Sequence, residues 1–584
     1  MIANMSKASA LVDVSKKRVN PFKELWTNKF LYLLALPAVV YTFIFSYLTL
    51  PYIVIAFEKF NYKTGVFSPF VGLKNFEYFF KSSWAWTVTR NTLVINILFL
   101  IVGTVCSIVL AIVLNEVKAK KFLKVSQSMM LFPYFISWVI VSYMLQGILG
   151  TETGLLNNLM GTRINYYSTP GYWYPILLIL NIWKNTGYNT IVYLAAITGI
   201  DEGLYEAAYI DGATRFKRII YITIPLLAPG FANSFMLSFI ESVTDYSNPV
   251  VIGGGYKTLA SQIYVQAIGN YKLQVGTSVA VILLAVTVVV FLVQRYLMRS
   301  KNYVALTGKA SRERQLITEK RVALPINAIC FLLTLCILLF YVFLILGGFF
   351  KSWGVDYSFS LDSFKYVISY TGKAIKDTTL IALTASPISA VLAMAVAYLV
   401  VRKRFFGRLY LEQSSLLGLA VPGTVFGLGY ILAFNSKRMM LTNTWFVLGI
   451  VLAMARLPVG VRSGVASLQQ IDPSIEEAGR DLGGSSNKVF WTITIPLIKT
   501  SFFSGLVFTF IKSMTAISAV IFLVSGKYSL LTTKIMIYVD KGRFGYAAAA
   551  ATILIAIVFA VVGIASKALS KMGVSGDEIM SGLS

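Results

Sequence analysis

Three ionisable residues, Glu241, Asp245 and Lys512, lie inside stretches of sequence that are otherwise apolar. A charge is costly in such surroundings, so each marks either a solute path or a partner of opposite sign. Glu241 and Lys512 are opposite in charge, and Asp245 follows Glu241 by one helical turn on the same face. The chemistry open to them is pairing, gating or lining a solute path; a structural ion pair and a place at the membrane surface are the competing readings. Bond-making chemistry has little to work with. The chain has no histidine, the commonest general base and metal ligand, and the acids form no cluster with a nucleophile. No catalytic residue, metal site or bound cofactor is expected. The three cysteines, Cys106, Cys330 and Cys336, fall in apolar runs with no disulfide or metal spacing and read as small packing residues.

A second set of residues recurs. Ile200-Asp201-Glu202-Gly203-Leu204-Tyr205-Glu206-Ala207-Ala208-Tyr209-Ile210-Asp211-Gly212 is echoed by Ile471-Asp472-Pro473-Ser474-Ile475-Glu476-Glu477-Ala478-Gly479-Arg480-Asp481-Leu482-Gly483. Ile222-Thr223-Ile224-Pro225-Leu226 is echoed by Ile493-Thr494-Ile495-Pro496-Leu497. Glu206 and Glu477, Gly212 and Gly483, and Pro225 and Pro496 are all 271 positions apart, with no gap. The register continues: Phe239 to Ser247 lies over Phe510 to Ser518, which aligns Glu241 with Lys512. Each copy reads as a short amphipathic helix, a glycine turn, a second short segment, and a proline at a helix start, where a missing N–H is tolerated. Ala207, Ala208, Ala478 and Gly479 are small enough for another surface to approach closely, and Glu206 and Glu477 add a fixed charge there. Two such knobs make a two-point dock for a dimeric partner.

The elements that must carry these residues are membrane helices. Of 584 residues 57% are hydrophobic and 13% charged, with mean hydropathy +0.71, whereas soluble domains run near 45–50% and about 25%. Runs long enough to cross a bilayer lie near 30–57, 89–115, 127–149, 173–198, 223–245 and 274–296, then near 323–350, 375–400, 411–434, 444–463, 494–523 and 545–568. The expected fold is an all-α membrane protein of about twelve transmembrane helices in two six-helix repeats, related by a pseudo-two-fold axis along the membrane normal. It divides into an amino-terminal tail (1–29), a first lobe (30–298), a basic linker (299–322), a second lobe (323–570) and a carboxyl-terminal tail (571–584). The net charge of +27 resides largely in short loops such as Lys118 to Lys124 and Arg402 to Arg408, a positive-inside signal rather than a nucleic-acid surface. It puts both termini, the linker and the two repeated loops in the cytoplasm.

The pattern Glu-Ala-Ala, a Gly six residues after the Glu and a Pro thirteen further on, seen at Glu206, Ala207, Ala208, Gly212 and Pro225, resembles the coupling loop of binding-protein-dependent ABC importer permeases. The second copy keeps Glu477, Ala478, Gly483 and Pro496 but has Gly479 in place of the second alanine. The likeness extends over nearly the whole chain. Val71 to Leu227, with Val71-Gly72-Leu73-Lys74-Asn75-Phe76 and Arg90-Asn91-Thr92, is similar to oligosaccharide permeases. Lys512-Ser513-Met514-Thr515-Ala516-Ile517-Ser518-Ala519-Val520, like the fusion of two lobes in one chain, is similar to ferric-iron and phosphonate permeases.

The resemblance implies a permease in the bacterial cell membrane working by alternating access. It also implies two copies of a cytoplasmic ABC ATPase and an extracytoplasmic solute-binding protein. The chain has no Gly-x-x-x-x-Gly-Lys-Ser/Thr phosphate cradle, so ATP-Mg belongs on the partner ATPase. Iron(III) is the leading solute, with oligosaccharides, phosphonates and other small organic solutes as alternatives. An ion-driven secondary transporter is the other class to consider, but the doubled loop has no task in one.

Overall fold

The computed structural model describes residues 36–571 apart from 38, 41, 48, 62, 66, 118–119, 153, 228–237, 240–241, 244, 246–248, 250–251, 253–254, 300–319, 354, 404, 406, 419–420 and 437–438. Among the described residues, seven helices are long and apolar enough to cross a membrane: Ala85–Asn115, Leu273–Val293, Asn327–Phe349, Asp362–Arg402, Trp445–Gln470, Phe490–Met514 and Phe544–Lys571. The chain is therefore a multi-pass membrane protein, and its only strands among the described residues are two small hairpins. Trp173–Thr198, at 26 residues, is also long enough to span but carries Asn181, Lys184, Asn185 and Asn189 along its length.

Several expected spans are more broken than their hydropathy implies. The run 127–149 is not one helix: Phe122–Phe135 and Trp138–Leu149 meet at 98°. Pro133 lies in the last turn of the first helix, and the Ser137 side chain accepts from Val139 N to begin the second. The run 411–434 likewise divides into Arg408–Leu417 and Gly423–Phe434, with Pro422 at the join. The run 494–523 is helical only to Met514. In the first run, near 30–57, the described part includes a π segment, Phe43–Tyr47, and a 3-10 segment, Leu50–Phe57. Much of the run near 223–245 lies outside the described residues, as does the linker from 300 to 319.

Small residues allow helices to meet at close range, as expected where lipid supplies no hydrophobic drive between them. A β-carbon on Gly460 would come within 2.8 Å of Ala393 Cβ, and one on Gly464 within 2.8 Å of Ala397 Cβ. That seam fixes Trp445–Gln470 against Asp362–Arg402 and brings the end of one helix, Arg402, to the loop that follows the other. Ala547 to Ala551 form a fully buried run in Phe544–Lys571, and a β-carbon on Gly348 would lie 3.1 Å from the Ala549 backbone.

Candidate functional site

The two repeated loops fold alike, element for element. Asp201 caps the nine-residue helix Glu202–Ile210, accepting from Gly203 N at 3.0 Å; Asp472 caps the nine-residue helix Pro473–Asp481, accepting from Ser474 N at 2.9 Å. The Ser474 N–H also holds the Asp472 carboxyl below its usual range. Both helices end in the same reversed turn. Gly212 N and Ala213 N donate to Tyr209 O and Ala208 O at 3.0 and 2.8 Å; Gly483 N and Gly484 N donate to Arg480 O and Gly479 O at 2.8 and 3.1 Å. Gly212 and Gly483 sit at φ +76° and +83°, a conformation costly for any residue with a β-carbon. A π turn follows in each, Ile219–Thr223 and Phe490–Thr494, and leads to Pro225 and Pro496.

Ala207, Pro225, Glu477, Ala478 and Pro496 are exposed, and Glu206, Ala208 and Gly479 are partly so. The small residues thus lie on an accessible face. Gly479, the one departure from the repeated pattern, has a local cause. An added β-carbon would lie 2.5 Å from Ile493 Cδ1 and 3.2 Å from Val489 Cγ2. The first loop has Arg218 in place of Val489.

The structure adds a residue that the pattern does not single out. Glu476, one position before Glu477, is buried; its side chain is 3% exposed, and that of Arg402 is 7%. Arg402 Nε donates to Glu476 Oε1 at 2.9 Å, and Arg402 Nη2 donates to Ile471 O at 2.8 Å. Thr494 Oγ1 donates to the same Glu476 oxygen at 3.1 Å, and Arg480 approaches Oε2 at 3.8 Å. The equivalent position in the first loop is Tyr205, whose hydroxyl lies 2.9 Å from Thr223 Oγ1. Both loops are therefore tied to the same threonine, one by a charged network and one by a neutral hydrogen bond. The available signal was the buried threonine shared by the two copies, facing the position before the Glu-Ala-Ala start.

Of the intramembrane candidates, Glu241 lies outside the described residues. Asp245 lines a small pocket with Thr92, Asn96, Ser242, Tyr256 and Thr258, where Ser242 donates to Asn96 Oδ1. Lys512 lies against the opposite lobe. Its Nζ is 3.4 Å from the centre of the Tyr134 ring, a short cation–π contact. Tyr134 stacks on Tyr188 at 4.2 Å with the rings 8° apart, and Phe508 lies beside it. Lysine and phenylalanine from the second half thus close on two tyrosines from the first. Tyr134 is 14 residues into its helix and Lys512 is 17 residues beyond Ile495. At 1.5 Å per residue those positions are roughly 20–25 Å from the loop ends of their helices.

Comparison with known proteins gives two matches within the chain to one family model, described as the binding-protein-dependent transport system inner membrane component, over residues 103–303 and 385–572. The chain is 35% identical over 378 residues to the ferric transport system permease protein FbpB of Actinobacillus pleuropneumoniae, covering 63% of this chain and 54% of that protein. It is 36% identical over 230 residues to the polygalacturonan/rhamnogalacturonan transport system permease protein YteP of Bacillus subtilis (strain 168), covering 38% of this chain and 72% of that protein. The chain spans 54% and 60% of the length of two FbpB relatives it matches. Among solved structures, a bacterial ABC transporter involved in the import of the acidic polysaccharide alginate matches 48% of this chain and 99% of that chain, with 28% identity and a TM-score of 0.44.

Proposed function

The chain belongs to the family of binding-protein-dependent transport system inner membrane components, and we propose that it is the fused, two-lobed permease of an ABC importer. One lobe spans 30–298 and the other 323–570, with both termini and the repeated loops in the cytoplasm of a bacterium. Two copies of a separate ATPase dock on the loops, one on Glu206-Ala207-Ala208 and one on Glu477-Ala478-Gly479, and carry the ATP-Mg. Their closure draws the loops together and turns the helix bundle outward to receive a solute from an extracytoplasmic binding protein. The Lys512–Tyr134 contact is the proposed gate, and Glu241, which the repeat aligns with Lys512, and Asp245 are the further candidates for the solute path.

The observation that supports this reading best is the doubled loop. Two nine-residue helices share their aspartate caps, reversed glycine turns and π segments at one offset. A two-fold motor needs two such grips. Iron(III) is the proposed solute, on the likeness to FbpB over 378 residues; the likeness to YteP favours an oligosaccharide as the second reading.

The test is uptake by proteoliposomes carrying this chain, its ATPase and its binding protein. ATP-dependent accumulation of labelled iron(III), absent without the ATPase, is expected; accumulation of an oligosaccharide instead selects the second solute. Uptake by the chain alone, driven by an ion gradient, overturns the importer reading.

A further inference from the structure

Lys184 is a buried cation deep in a membrane helix. It is 6% exposed, in Trp173–Thr198. Such a charge is expensive unless its donors are satisfied. An ammonium has three donors, and Lys184 Nζ donates to three carbonyls: Pro133 O at 3.0 Å, Tyr134 O at 3.2 Å and Ile136 O. These belong to the break between Phe122–Phe135 and Trp138–Leu149. Pro133 O also accepts from Ile136 N at 3.1 Å, but the last carbonyls of a helix otherwise have no intrahelical partner, and in the bilayer core each unsatisfied one costs several kcal/mol. The helix end is also the negative pole of its dipole, which favours a cation there.

The same face of Trp173–Thr198 grips the broken span twice more. A β-carbon on Gly187, one turn after Lys184, would lie 1.7 Å from Met130 O, so the two backbones are in direct contact there. Tyr188, four residues after Lys184, stacks on Tyr134. Lys184 therefore holds the backbone of the residue whose ring receives Lys512.

We infer that Lys184 is a positioning residue: it fixes the broken span in its bent form and so presents Tyr134 to Lys512 across the lobes, keeping the resting gate shut. This rests on the importer reading, and it adds a residue that acts on the gate from behind.

The test is ATPase activity of the reconstituted complex, with and without solute-loaded binding protein, for wild type and Lys184→Met. The expected result is assembly with the ATPase but a rise of about fivefold in activity without the binding protein, the scale on which a single hydrogen bond tips a two-state balance, together with loss of stimulation. Lys184→Arg, which keeps the cation, should restore stimulation in part. The effects of Lys184→Met and Tyr134→Ala should not add, because one acts through the other. Wild-type stimulation in an assembled Lys184→Met complex, or additive effects, overturns the inference. If Lys184→Met does not assemble, Lys184→Gln decides: uncoupled activity supports the role, wild-type coupling refutes it, and failure of both to assemble makes Lys184 a folding residue and refutes it too. Absence of any binding-protein stimulation in the wild-type complex would instead count against the importer reading itself.

Discussion

Arg402 and Glu476 form a nearly sealed ion pair, 2.9 Å from Nε to Oε1, that joins the end of one membrane helix to the short helix of the second repeated loop. Arg402 also grips Ile471 O at the entry to that loop, and Thr494 at its exit shares the carboxylate. The entry and the exit of the loop are thus both tied to this pair, Ile471 O through Arg402 and Thr494 through the Glu476 carboxylate. On the importer reading, a displacement of the loop would pass to Asp362–Arg402 through this network, and from there to Trp445–Gln470 through the Gly460 and Gly464 seam.

Removing one partner leaves a buried charge without compensation, a loss of about 3–5 kcal/mol in comparable pairs. Arg402→Met should therefore lower the thermal stability of the purified complex and weaken solute-stimulated ATPase activity. Adding Glu476→Met should recover much of the stability but not the stimulation. Thermal unfolding of the two variants side by side checks this; equal stability of Arg402→Met and wild type contradicts it.

Gly479→Ala should cost about 1 kcal/mol by overpacking, since the new methyl meets the end of the Ile493 side chain at 2.5 Å. Pairing it with Ile493→Val, which removes that terminal carbon, should restore stability. The reverse change in the first loop, Ala208→Gly, relieves no such contact. Thermal shifts of these three variants against wild type measure the difference.

Lys512→Ala and Tyr134→Ala each remove a cation–π contact worth up to about 2 kcal/mol when desolvated. Both should raise ATPase activity in the absence of the binding protein, and the double variant should add little to either single one. Independent, additive effects show that the contact is not the gate.

The helical class and the doubled loop were legible in the sequence because both are written in short-range patterns. Apolar length announces a span, and polar residues at one offset announce a repeat. The breaks were harder to read, although Pro133 and Ser137 stood where the bend now lies. An apolar run reads the same whether it is one helix or two, and only the carbonyls left open at the break, closed by Lys184, show what holds it. Lys184 itself was visible as a lone charge in its run, but its partners are backbone oxygens some fifty positions away, which no side-chain pattern records. The repeated motif singles out Glu477, which is exposed, and is silent on the buried Glu476 beside it. Burial, not motif, separates the two neighbouring glutamates.

On the importer reading, a separate ATPase takes hold of the two repeated loops. Retention of that ATPase by the affinity-purified chain, compared between wild type and the double variant Glu206→Lys and Glu477→Lys, tests it most directly. Wild type should retain two ATPase copies, and the double variant, equally abundant in the membrane, should lose most of them, with each single variant in between. Retention of two copies by the double variant, with undiminished uptake, would contradict it.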